Sequence, residues 1–214
     1  DFTFRKNRIV AFKDFVNEKI KPYDDNGHGT HCAGIFGGDG TVSGGKYCGI
    51  APDCNIISVK VLDHTGNGNI SDLLAGLQWV ISNKEKYNIR VVNISVGRVD
   101  ENKEGEDSVL VKGVDATWDS GLVVVVAAGN NGPARMSVTT PGISRKVITV
   151  GASDDNRQVN IRGTKMVNYS GRGPTIHNVL KPDVVAPGSN VVSCMSESKR
   201  MNMFGYAMRD TYTI

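Results

Sequence analysis

The sequence predicts an α/β domain built on a mostly parallel sheet, and three observations carry that prediction. Segments with strand character alternate with segments of helical period along the chain. Residues 122–128 are apolar throughout, the pattern of a parallel strand covered on both faces. Turns bearing glycine and asparagine follow the apolar strands, at the carboxyl ends where such sheets hold their ligands. With 214 residues, 39% of them hydrophobic, the chain can bury a sizeable core, and residues 1–214 are read as one domain.

The elements follow in order. Residues 9–15 carry the first strand. A loop dense in turn formers, Lys21-Pro22-Tyr23-Asp24-Asp25-Asn26-Gly27, leads into a helix that begins near Thr30 and stops at Gly37 and Gly38. Residues 55–62 alternate and are β-branched, so they read as a strand. Residues 63–69 form a loop. In residues 71–87, Leu73, Leu74, Leu77, Val80 and Ile81 share one helical face, with Asn69 or Ser71 as the cap and Asp72 at the positive end of the dipole. A strand over 91–95, a charged loop over 98–107 and a helix over 108–120 stopped by Gly121 come next. Strands over 122–128, 146–151, 184–186 and 191–193 complete the reading.

Composition excludes several classes. The net charge is +3 and no basic run interleaves with aromatics, so nothing points to nucleic acid. The longest apolar run, residues 122–128, has seven residues, far short of a membrane span. No signal peptide is expected at Asp1, where the segment can begin inside a longer protein. The four cysteines, Cys32, Cys48, Cys54 and Cys194, fit no paired zinc framework. Cys48 and Cys54 could pair in an oxidising compartment, and free thiols in a cytoplasmic protein fit as well. The reading leans to the cytoplasm and leaves secretion open.

Two stretches carry chemistry. In Asp24-Asp25-Asn26-Gly27-His28-Gly29-Thr30-His31-Cys32-Ala33-Gly34-Ile35, a histidine stands between glycines at the start of a helix of small apolar residues. Flanking glycines admit a close approach to the imidazole, and the helix holds it in the fixed geometry a general base needs. In Ala127-Ala128-Gly129-Asn130-Asn131-Gly132, an asparagine leaves the apolar strand directly. Its side-chain amide is suited to stabilising a developing oxyanion. His28 and His31 with Cys32 could instead suggest a metal, but no third ligand motif supports one, and the metal site is read as none.

These stretches, in this order, resemble the subtilisin-like serine proteases, and the resemblance runs almost to both ends. It implies a three-layer α/β fold, His28 as general base and Asn130 as oxyanion donor. Asn93-Ile94-Ser95-Val96-Gly97 resembles the family segment that pairs with an extended substrate, and Gly66-Asn67-Gly68 the loop on the substrate's other side. Ser95, Val96, Gly97, Ala127, Ala128 and Gly129 would then wall a roomy, mainly apolar pocket for the residue before the scissile bond. Arg98 stands where the family commonly has glycine. Thr140-Pro141-Gly142 matches the position of a cis proline, and Ser170 falls in a structural turn.

The resemblance also implies what the chemistry would require. The family's order is Asp, His, Ser. Its Asp-Ser/Thr-Gly motif does not occur before His28, and its Gly-Thr-Ser-Met-Ala motif does not occur after Asn130. The expectation is a domain incomplete at both ends, inactive alone, with an open sheet that invites strand exchange or oligomerisation and with residues 195–214, and 1–7 by the same reasoning, poorly ordered or off the family path. The substrate would be a polypeptide, no cofactor would be needed for the chemistry, and structural calcium near Asp24 and Asp25 stays open. The alternatives are a non-catalytic peptide-binding module of the same fold and a metal hydrolase using His28 and His31.

Overall fold

The computed structural model describes residues 1–3, 6–100, 104–153, 158–161, 164–166 and 168–196. Two compact units divide the chain. One comprises Asp1–Gly76 with residues 192–196, and the other is Leu77–Val191.

In the first unit, β1 (Ile9–Asp14) runs parallel to β2 (Ile56–Lys60), with a register shift between Ile9 and Ala11. Parallel pairing needs a crossover, and α1 (His28–Gly37) lies in it. β1 ends where the Asp14 carboxylate, 2% exposed, gathers the N–H groups of Val16, Asn17 and Lys19 and the Tyr23 hydroxyl. These four bonds fold the segment back on itself, and they hold the Asp14 carboxyl below its usual range although burial pushes it upward. The helix end lies close on β2: a Cβ on Gly37 would sit 3.1 Å from Cys54 Sγ and 3.3 Å from Ile56 Cδ1.

Residues 191–193, expected as a strand, have no regular structure. Ser193 Oγ donates to the His31 carbonyl at 2.7 Å, and a Cβ on Gly34 would fall 2.2 Å from that hydroxyl. Packing on α1 takes the place of strand pairing. Asp1 is tied in as well, its side chain accepting Val42 N–H at 2.8 Å and its carbonyl accepting Arg8 at 2.7 Å. The expected path of residues 197–214 lies outside the described residues.

α2 (Ile70–Tyr87) spans the division between the units. The second unit holds a four-stranded parallel sheet. Its order is β3 (Val91–Ile94), β4 (Val123–Ala127), β5 (Ile148–Ala152), β8 (Val184–Ala186), with α3 (Val109–Asp119) between β3 and β4 in sequence. A hairpin that the sequence did not signal pairs β6 (Val159–Ile161) with β7 (Thr164–Met166).

Leu77 of α2 and Val114 of α3 pack on Val124 and Val126 of β4, with Ile94 and Val147 beside them. Both helices therefore supply the same face of β4. Val124 and Val126 are 0% and 1% exposed, whereas Val123 is 41% exposed. Of the two faces read as buried from residues 122–128, that of Val124 and Val126 is fully covered, and that of Val123, Val125 and Ala127 is covered only in part.

β5 and β8 are joined by a buried charge. Lys181 Nζ donates to Val147 O at 2.8 Å and to Asp183 Oδ2 at 2.6 Å, and that oxygen also accepts Thr149 N–H. All four cysteines are free thiols, so Cys48 and Cys54 are not paired here. Among the described residues, β2 has only β1 as a strand partner and β3 has only β4, and no helix is long and apolar enough to cross a membrane.

Candidate functional site

His28 is the first residue of α1. Gly27 before it has φ 102°, a left-handed conformation that favours glycine and turns the chain into the helix. Gly27 has no side chain to cap the helix, and Asp24 does that work from three residues back. Its Oδ1 accepts Asn26 N–H at 3.0 Å and Gly27 N–H at 2.8 Å. Its Oδ2 accepts Thr30 N–H at 2.9 Å and Thr30 Oγ1 at 2.6 Å. Burial alone would raise the Asp24 carboxyl, but these donors outweigh it and hold the group below the usual carboxylate range.

The His28 N–H donates to Asn26 Oδ1 at 3.2 Å. The imidazole is half-buried, and Cys32 Sγ lies 3.9 Å from its Nε2, one turn along the helix. Burial pushes its pKa below the usual histidine value. The Asp24 charge acts against this, and His31 acts with it. Burial thus favours the neutral ring, the state a base requires.

The calcium raised by the resemblance does not fit these two aspartates. Asp24 spends both oxygens on N–H and O–H donors, and Asp25 takes Lys60 Nζ at 2.7 Å. Among the described residues, no group of three or more His, Cys, Asp or Glu side chains is placed to hold a metal ion.

Gly66, Asn67 and Gly68 belong to the same unit as His28. Asp63 Oδ1 accepts the N–H groups of Thr65 and Asn67 and the Thr65 hydroxyl, and Asp63 N–H returns to Asn67 O at 2.7 Å. A Cβ on Gly68 would meet Val61 O at 2.4 Å, so the loop lies tight against its own incoming strand. Asn26 Nδ2 donates to His64 O at 3.2 Å and links this loop to the turn before His28.

The second unit holds the other candidates. Ser95, Val96 and Gly97 continue β3 past its last ladder pair, Ile94 with Val126. Ala127 ends β4, and Ala128 and Gly129 follow it. Because β3 and β4 are adjacent and parallel, both exits lie at the same end of the sheet. A third segment crosses them. Thr139 N–H donates to Ala128 O at 3.0 Å, while Arg98 and Thr140 exchange two backbone bonds of 2.9 Å each. Thr140-Pro141 is a cis peptide, as the sequence predicts.

Thr139, 6% exposed, stands between the two glycines. A Cβ on Gly97 would lie 2.6 Å from its Oγ1, and one on Gly129 would lie 2.3 Å from Oγ1 and 2.5 Å from Cγ2. Gly129 has φ 85°, which turns the chain sharply into Asn130. Gly171 N–H donates to Gly129 O, and Gly132 N–H donates to Tyr169 O, both at 2.8 Å, so the turn is held on either side of Asn130. The Asn130 amide makes no hydrogen bond among the described residues.

The sequence missed two of these residues. Asp24 was read only as part of a turn-forming loop, and its capping of α1 shows in the structure alone. Thr139 carried no local signal, because its place is set by three segments distant in sequence.

Parallel strands alternating with helices define an α/β scaffold, with a histidine heading one helix and an asparagine just past a strand exit. The comparisons narrow this. The subtilase family, Peptidase S8, matches residues 5–213. Serine protease AprX of Bacillus subtilis is 44% identical over 198 residues, which is 89% of this chain and 44% of AprX. Subtilisin DY of Bacillus licheniformis is 30% identical over 203 residues, 94% of this chain and 65% of that protein. Among solved structures, Sphericase superposes with a TM-score of 0.70 at 29% identity, covering 86% of this chain and 61% of that one. The chain belongs to the subtilase family.

Proposed function

We propose that this chain supplies the general base, the oxyanion donor and the substrate-binding backbone of a subtilisin-like serine endopeptidase. The family match supports the class, and the uncommitted Asn130 amide at the exit of β4 is the observation that carries the reading. The chain spans 44% of AprX and 48% of the Thermostable alkaline protease of Halalkalibacterium halodurans, so the whole protein's activity belongs to this proposal.

In this reading a serine attacks the peptide carbonyl and His28 takes its proton. A carboxylate stabilises the resulting imidazolium, and the imidazolium then protonates the leaving amine. Asn130 donates to the carbonyl oxygen as it gains charge. Residues 66–68 and 95–97 hold the peptide as an added strand through backbone bonds, which bind without reading sequence. The substrate is a polypeptide, and none of these steps draws on a cofactor.

The test is Asn130→Ala in the natural gene product that contains this chain. kcat should fall about 10²–10³-fold with KM little changed, because the amide acts on the transition state; that magnitude is borrowed from the same donor in subtilisin itself. A raised KM at unchanged kcat would overturn the assignment.

A further inference from the structure

An asparagine followed by glycine can lose its side-chain amide, because a residue without a Cβ lets its backbone nitrogen reach the preceding carboxamide carbon. The chain contains three such pairs, Asn26-Gly27, Asn67-Gly68 and Asn131-Gly132. The attacking atom is the glycine nitrogen, so the bond that its N–H makes decides which pair reacts. Gly27 is buried and its N–H donates to Asp24 Oδ1 at 2.8 Å. Gly132 is buried and its N–H donates to Tyr169 O at 2.8 Å. Gly68 N–H bonds to no acceptor among the described residues, and Asn67 and Gly68 are both exposed.

We propose that Asn67 is a site of spontaneous deamidation and that the carboxylate formed there opens the loop of residues 63–67. Gly68 N gives up its proton to water and attacks Asn67 Cγ. The Cγ–Nδ2 bond breaks as the new N–Cγ bond forms, and ammonia leaves with a proton taken back from water. Water then opens the succinimide at either carbonyl and leaves aspartate or isoaspartate at 67. The net change is amide plus water to carboxylate plus ammonium. Packing imposes the vulnerable glycine, since any Cβ at 68 would run into Val61 O.

The product cannot hold the loop closed. Asn67 Nδ2 donates to Thr65 Oγ1 at 2.8 Å, and that hydroxyl donates to Asp63 Oδ1 at 2.6 Å. The hydroxyl proton is spent on Asp63, so toward residue 67 Thr65 can only accept. A carboxylate at 67 has no proton to give, and it adds negative charge to a loop already folded around the Asp63 carboxylate. The bond released with it is the one from Asp63 N–H to Asn67 O, 2.7 Å long. The inference stands without the peptidase reading; under that reading residues 66–68 hold the peptide backbone, and the opening weakens that hold.

The experiment incubates the natural gene product at mildly alkaline pH with a serine-protease inhibitor, folded and in urea. Peptide mapping by mass spectrometry follows amide-to-acid conversion at the three pairs, each pair's rate in urea serving as its own reference. In the folded protein Asn67 should stay within severalfold of its reference. Asn26 and Asn131 should slow at least about tenfold, because their glycine N–H groups must first leave buried bonds. Equal slowing at all three, or more slowing at Asn67 than at either of the others, would overturn the site. Asn67→Asp, made directly, should speed hydrogen exchange at the Asp63 amide at least about tenfold. Unchanged exchange there would overturn the opening of the loop.

Discussion

Asp24 Oδ2 accepts both the backbone N–H and the hydroxyl of Thr30, at 2.9 and 2.6 Å, and so fixes the first turn of α1 that carries His28. Asp24→Ala leaves the Thr30, Asn26 and Gly27 donors without that acceptor. It should cost about 1–3 kcal/mol of stability, read as a lower denaturant midpoint. The Asp24 carboxyl lies below its usual value in the folded protein, so its contribution is present above the unfolded pKa and lost as pH falls through the folded one. The gap between the unsubstituted protein and Asp24→Ala should therefore be full at neutral pH and shrink below about pH 4. A gap independent of pH would contradict this.

The His28 imidazole has its pKa depressed by burial. A depressed pKa means that the unfolded chain binds the proton first, so stability falls as pH drops through about 6.5 toward the folded value. This window lies above that of Asp24, and the two separate in a pH series. Titration of the His28 ring of this chain by NMR should give a midpoint below about 6.5. A midpoint above that value would contradict the assignment of burial as the governing effect.

Gly97 and Thr139 should be energetically coupled. Gly97→Ala drives a methyl toward Thr139 Oγ1 and should cost about 1–3 kcal/mol. Adding Thr139→Gly removes the obstacle, so the double variant should be more stable than the sum of the two losses predicts. Strict additivity in urea unfolding would show that the side chain does not stand between the strand exits.

Lys181 bonds Val147 O and Asp183 Oδ2 from a side chain only 1% exposed. Lys181→Ala strips a buried carbonyl of its donor and a half-exposed carboxylate of its counter-charge. The expected loss is about 1–3 kcal/mol, discounted from the cost of a fully buried pair because water reaches Asp183. Thermal melts of the two proteins, compared at equal pH, check it.

Much of the architecture was legible in the sequence, because periodicity is a local signal. The helix over 71–87 is found as Ile70–Tyr87, and the strand over 55–62 as Ile56–Lys60. That His28 heads α1 and that Asn130 follows β4 was legible, because glycines and a strand exit state that placement. What escaped depends on distant partners. Seven apolar residues suggested cover on both faces of β4, yet cover is set by where α2 and α3 pack. Val191, Val192 and Ser193 look like a strand, yet Ser193 spends its hydroxyl on α1. The place of Thr139 between Gly97 and Gly129 escaped too, since only the fold brings these three segments together.

The central claim is that His28 is the base of a peptidase. The most direct measurement compares hydrolysis of a chromogenic tetrapeptide by the natural gene product and by its His28→Ala variant at pH 8. The account predicts turnover by the first and a loss of at least about a thousandfold in kcat for the second, with binding of the peptide retained. Equal turnover by the two proteins, or binding without turnover by the unsubstituted one, would contradict it.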